Sequence, residues 1–298
     1  MNQVKIDHLK TESRNPKTTN LDTMSSLELL QIMNEEDQKT VLAVKEALPQ
    51  IERAVVLIVQ ALKQRGRLIY IGAGTSGRLG ILDAVECVPT FSTEDEVIGV
   101  IAGGEKAFVR AVEGAEDSEE LAANDLEALH VGENDVVAAI AASGRTPYAI
   151  GALKYAKKMN AKCVGISCNK EALLSQYADV AIEADAGPEV LTGSTRLKAG
   201  TCQKLILNMI STASMVGMGK VYGNLMVDMK ATNQKLVERA KRIVMESTGC
   251  DYDTAARTLE ASGCSSKTAI VMILTGISKE EAEARITEKQ GFIRSCIE

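Results

Sequence analysis

A doubly wound α/β fold is predicted by three features of this sequence. Five short apolar runs alternate with helical stretches between residues 67 and 185. The runs are apolar throughout rather than every second residue, the pattern of strands buried on both faces of a parallel sheet. Turns rich in glycine and hydroxyl residues follow the first and third runs, where a strand gives way to a helix. The expected architecture is a mainly parallel five-stranded sheet of flavodoxin-like order 2-1-3-4-5. N-terminal helices precede it and a small C-terminal helical domain follows.

The elements follow in order. Residues 1–20 are polar and cannot build a core, so they are read as a flexible or docked arm. From Ser25 to Gly66 the period is helical, with Leu27, Leu30 and Met33 on one stripe. Pro49 suits the first turn of a second helix carrying Ile51, Val55, Ile58 and Leu62. Strands are expected at 67–72, 97–103, 135–142, 162–168 and 180–185, with helices near 77–87, 116–129 and 147–159. After Thr192 no strand signal remains. A long apolar helix is expected over Ser194–Gly219 and a more polar one over Met229–Ser247. Three short helices then follow, divided at Gly249–Cys250, Gly263 and Gly276–Ser278, with Ser278 and Glu281 forming a capping box. The domain boundaries read from these changes are 1–56, 57–220, a connector at 221–234, and 235–298.

Composition narrows the function. A net charge of −6 and no basic cluster argue against a nucleic-acid reader. Aromatics at 3% and no Trp argue against recognition by stacking. Seven cysteines without a CxxC pair suggest reduced thiols and a cytoplasmic protein. The two histidines, His8 and His130, share no ligand spacing, so no metal is expected. The N-terminus lacks the apolar segment of a signal peptide, and the stretch Lys204–Lys220 is too short and polar to span a membrane.

Three segments carry the chemistry. Gly72-Ala73-Gly74-Thr75-Ser76-Gly77 satisfies the spacing G-x-G-x-x-G after a strand. A dinucleotide site also needs an acidic residue at the end of the second strand. That strand runs out into Gly103-Gly104 instead. Hydroxyls beside free N–H groups at a helix start suit a phosphate monoester better. Ala142-Ser143-Gly144-Arg145-Thr146-Pro147 opens another helix, with Thr146 at the N-cap. Taken singly this is a capping motif. In the order 2-1-3-4-5, however, strands one and three flank the crevice where ligands bind, and the two loops would line it together. Glu189–Thr201 brings Ser194, Thr195, Arg196 and Lys198 to the start of the long apolar helix. It is either a dense N-cap or a third wall of the anion site, with Arg196 and Lys198 either adding charge or lying on the surface.

These three loops, in this order, resemble the sugar isomerase (SIS) phosphosugar-binding family. The strings IGAGTSGRLGILDAVECVPT, IAGG, AVEGAEDS, IAASGRTPY, VGISCN, TGSTRLKAGTCQKLILNMIST and GNLMVDMKATN resemble its ether-cleaving branch. That resemblance implies a lyase acting on N-acetylmuramic acid 6-phosphate in cell-wall amino-sugar recycling. It would yield D-lactate and N-acetylglucosamine 6-phosphate without a cofactor. It further implies two acid/base glutamates. Glu86 would protonate the lactyl oxygen and Glu116 would take the C2 proton. Spacing alone does not separate Glu116 from Glu113; the resemblance selects Glu116. Ser76, Ser143, Thr146, Ser194 and Thr195 are the expected substrate contacts. A phosphosugar isomerase and a non-catalytic sugar-phosphate sensor are the alternatives.

One geometric problem follows. A helix starting near Ser76 carries Glu86 ten residues onward, roughly 15 Å at ~1.5 Å per residue. A hexose does not bridge that distance. Either the helix breaks early, or Glu86 serves a phosphate held by a second subunit, which makes a homodimer with composite sites the expectation.

Overall fold

The five apolar runs form five strands because continuous Val, Ile and Ala runs bury both faces once helices cover them. The computed structural model describes residues 9–110, 112–230 and 233–298. His8 and the start of the arm lie outside the described residues. The strands are β1 (Leu68–Gly72), β2 (Val97–Ile101), β3 (Val136–Ile140), β4 (Lys162–Ser167) and β5 (Val180–Glu183). All pairs are parallel and the order is β2-β1-β3-β4-β5. Most strands stop short of their apolar runs. After β2, Gly103 and Gly104 take φ of +88° and +69°, which turns the chain out of the sheet. After β3, Gly144 at φ +67° does the same.

Two compact units are present. One comprises the described residues up to Ala84 together with Glu96–Ser211; the other comprises Val85–Asp95 and Thr212–Glu298. In the first unit, α1 (Ser26–Glu46) starts at a capping box between Ser25 and Glu28. The next helix, α2 (Leu48–Lys63), carries Pro49 in its first turn. Helix α3 (Gly74–Phe91), which belongs to this unit as far as Ala84, leaves β1, and α4 (Glu105–Val109) follows β2. Helices α5 (Glu119–Ala128) and α6 (Pro147–Lys158) pack on each other. Ile69, Ile71, Val137 and Ala139 point to them and share one core with Leu126, Ala149 and Leu153. Residues of opposite parity, such as Tyr70, face the other way. A Cβ on Gly80 of α3 would lie 2.9 Å from that of Tyr70, so only glycine lets helix and strand approach so closely. Helix α2 packs against β1, β3 and β5.

The arm is docked. Leu9, Thr11, Asn15 and Thr18 are buried. Asn169, itself buried beyond β4, accepts from the Lys10 N–H at 2.8 Å and donates to Thr11 Oγ1 at 3.0 Å. Thr18 donates to the Val190 carbonyl at 2.8 Å.

The long helix α7 (Lys198–Gly217) begins later than Ser194. The buried Glu189 carboxylate accepts from the N–H groups of Lys198 and Ala199 at 3.0 and 2.9 Å and sets the start there. In the second unit, α8 (Gln234–Thr248) begins five residues after Met229 because the Asn233 side chain caps it. Gly249 and Gly276, at φ +75° and +72°, end α8 and α10. Helices α9 (Tyr252–Ala261), α10 (Ser266–Thr275) and α11 (Lys279–Glu288) follow, α11 with the expected Ser278–Glu281 capping box. A further short helix, α12 (Ile293–Ile297), lies beyond Gly291, where only three had been expected. Ala255, Ile270, Val271, Ala282 and Ile293 form this unit's core. No helix among the described residues is long and apolar enough to cross a membrane.

Candidate active site

Parallel register decides where the loops meet. Gly72 at the end of β1 pairs with Ile140 at the end of β3, so the two following loops leave the sheet side by side. β2 lies on one side of β1 and β3 on the other, which makes this the point where the winding reverses. A cleft of about 520 Å³ opens there. Ala73–Ser76 line it from the first loop, Ala142, Ser143 and Arg145–Pro147 from the second, and Thr195 from the third. Glu116 and Asp117 add two carboxylates, and the arm adds Leu9 and Glu12.

Each polar group has a local cause. Gly74, at φ +53°, starts α3 directly after the strand, so the first N–H groups of the helix point out of its end. Ser76 is buried, and its hydroxyl donates to Gln203 Oε1 at 3.0 Å. The buried Nε2 of Gln203 has no partner. Ser143 Oγ accepts from the Arg145 N–H at 3.2 Å, which holds the second loop tight. Thr146 is the N-cap residue of α6, as expected, but its hydroxyl makes no capping bond and it lines the cleft instead. Glu116 lies in a short 3-10 turn, Ala115–Asp117, entered through Gly114 at φ +77°. Two helix starts, α3 and α6, thus border one cleft, an arrangement that favours an anion.

The expected residues are therefore partly brought together. Ser76, Ser143, Thr146, Thr195 and Glu116 line the cleft; Glu113 does not. Ser194 is not among the lining residues. Its N–H donates to the Leu191 carbonyl and its carbonyl accepts from Leu197 N–H. Glu86 is exposed and is not a lining residue either. Helix α3 runs unbroken from Gly74 to Phe91, so the early break that would have shortened the path to Glu86 is absent.

Lys198 is neither a site cation nor a surface cation. Its side chain is 1% exposed and is ion-paired with Glu36 Oε2 at 2.8 Å. Burial alone would raise the Glu36 carboxyl, but hydrogen bonds from Lys198 and Lys39 outweigh it and hold the pKa down at about 2. The cleft's one lining cation among the described residues is Arg145. Sequence reasoning missed Leu9, Glu12, Gln203 and Asn169. The quoted VGISCN string contains Asn169, but nothing in the string shows that its side chain clasps a segment far away in sequence. Among the described residues no group of three or more His, Cys, Asp or Glu side chains is placed to hold a metal ion.

The fold and this cleft define an α/β domain of the SIS class. Its profiles match in two overlapping stretches: "SIS domain" over residues 112–213, and "Glucokinase regulatory protein N-terminal SIS domain" over residues 50–157. A Shouchella clausii protein named N-acetylmuramic acid 6-phosphate etherase is 60% identical, covering 98% of this chain and 99% of its own. Proteins of the same name from Geobacillus thermodenitrificans and Bacillus cereus are 58% and 57% identical, each over 98% of this chain and 100% of their own. The chain belongs to the N-acetylmuramic acid 6-phosphate etherase family.

Proposed function

We infer that this protein cleaves the D-lactyl ether of N-acetylmuramic acid 6-phosphate, giving N-acetylglucosamine 6-phosphate and D-lactate. The observation that carries the reading is the grouping of Ser76, Ser143, Thr146 and Glu116 around one cleft where two helices begin. The identity to the etherases supports the choice of substrate.

An alkyl ether at C3 of a sugar resists direct hydrolysis. Ring opening to the aldehyde makes the C2 proton acidic. Glu116 removes that proton and the electron pair forms the C2–C3 double bond. Lactate leaves from C3 as its oxygen takes a proton from Glu86. Water then adds at C3, giving its proton back to Glu86, and C2 is reprotonated by Glu116. The phosphate lies against the starts of α3 and α6 with Ser143 and Thr146. Ser76 joins it by redirecting its O–H, with the Gln203 amide turned so that Nε2 donates to Ser76 Oγ.

In this reading Glu86 acts in a site of a second copy, because ten residues of helix between Ser76 and Glu86 in the sequence are more than a hexose can bridge. Val85 and Val88 stand exposed near Glu86, apolar side chains suited to burial against a second copy. The cytoplasm is the compartment the reading implies, and the absence of a disulfide among the described cysteines fits a reducing environment.

The test is D-lactate release from N-acetylmuramic acid 6-phosphate by purified protein. Release that falls at least about 10²-fold in Glu86→Gln and in Glu116→Gln supports the assignments, by the usual worth of acid/base groups. Retained activity in either variant removes that residue from the mechanism. No release by the wild type, with the sugar phosphate still bound, replaces the etherase reading with an isomerase or a sensor. Mixing the inactive Glu86→Gln chain with an inactive Ser76→Ala/Ser143→Ala chain is expected to restore activity after subunit exchange. Absence of rescue, with exchange verified by mass spectrometry, refutes the composite site.

A further inference from the structure

The arm presents two side chains to the cleft, Leu9 and Glu12. Leu9 is buried and serves packing. Glu12 is half-buried, and its carboxylate has no hydrogen-bond or ion-pair partner among the described residues. Its surroundings are held firmly. Asn169 accepts from the N–H groups of Lys10 and Thr11 and donates to Thr11 Oγ1, Ser13 Oγ donates to the Leu9 carbonyl, and Asn15 Nδ2 donates to Glu36 at 3.0 Å. Ordering such a polar segment costs backbone entropy at every residue. The bonds fix the residues on either side of Glu12 but make none to its carboxylate. The carboxylate lies against the third loop, where a Cβ on Gly193 would come within 3.7 Å of Oε2.

We propose that Glu12 binds and orients the sugar by accepting hydrogen bonds from its neutral donors, a ring hydroxyl or the acetamido N–H. This rests on the cleft being the sugar-phosphate site. A carboxylate repels a phosphate dianion, so Glu12 does not serve the phosphate. It offers only acceptors, so its ligand must offer O–H or N–H. A half-buried, pre-positioned carboxylate suits that role, because little ordering remains when the sugar binds. Glu12 is thus a specificity residue supplied by the arm, which closes one side of the cleft.

The test compares Glu12→Ala and Glu12→Gln with the wild type, using calorimetric binding of N-acetylglucosamine 6-phosphate and of inorganic phosphate. Binding needs no turnover, so failure of the etherase reading and failure of this inference are distinguishable. Glu12→Ala is expected to weaken sugar phosphate binding about tenfold or more, the usual worth of a charged hydrogen bond. Phosphate binding stays equal or tightens, since a negative charge has been removed. Glu12→Gln, which keeps one acceptor, falls between. In the lactate assay the loss appears mainly in KM. Equal weakening of sugar phosphate and phosphate would show that Glu12 acts only by holding the arm, and would overturn the inference. So would unchanged binding of both.

Discussion

The buried Lys198–Glu36 pair ties three distant parts of the first unit together, and its removal is predicted to be costly. Glu36 is 0% exposed and Lys198 1% exposed, and every polar atom of the pair is used. Lys198 Nζ donates to Glu36 at 2.8 Å and to the Ala186 carbonyl at 3.0 Å. Glu36 also accepts from Asn15 at 3.0 Å and from Lys39 at 2.6 Å. Lys198→Met leaves Glu36 buried without its buried cation, a change that costs about 3–5 kcal/mol. Depression of the Glu36 carboxyl from 4.5 to about 2 gives an independent figure of about 3 kcal/mol. The sign follows from the depression. The contribution is complete above the unfolded value near 4.5 and is lost as pH falls through about 2. Urea unfolding of the wild type and of Lys198→Met between pH 6 and pH 3 is the assay. The variant should be less stable at pH 6, and its stability should fall less steeply toward pH 3. Glu36→Leu/Lys198→Met should lose less than the sum of the two single changes, because no lone charge remains buried. A Lys198→Met cost below about 1 kcal/mol, or parallel pH profiles, would refute the reasoning, since such a value belongs to an exposed pair.

Two further predictions concern the first two loops. Ser143→Ala is expected to raise KM for the sugar phosphate about tenfold with little change in kcat, because phosphate is bound alike in ground and transition states. A loss confined to kcat in steady-state kinetics would remove Ser143 from phosphate binding. Gly77→Ala places a Cβ 2.5 Å from the Gly72 carbonyl oxygen and 2.7 Å from Ile101, so strand and helix must separate. The expected cost is about 1–3 kcal/mol in urea unfolding, with weaker phosphate binding. Wild-type stability in that variant would contradict the packing described.

Periodicity and turn chemistry determined much of this protein without any structure. Continuous apolar runs gave five strands, and the two Ser-Gly-Arg turns after the first and third placed a binding crevice between them, because those properties are local in the chain. Capping residues such as Ser278 were readable for the same reason. Spacing could not separate Glu113 from Glu116. Gly114 and the short turn after it bring only Glu116 to the cleft. Nor could it tell a free Lys198 from one buried against Glu36, 162 residues away, or show that Asn169 clasps the arm 158 residues before it. Ser194 and Thr195 look alike in sequence and both make backbone bonds in this turn, yet only Thr195 lines the cleft. The types of groups available were fixed by the sequence. Which of them share a cleft was decided by the parallel register that sets Gly72 beside Ile140, and by an arm whose buried polar contacts exist only in the folded chain.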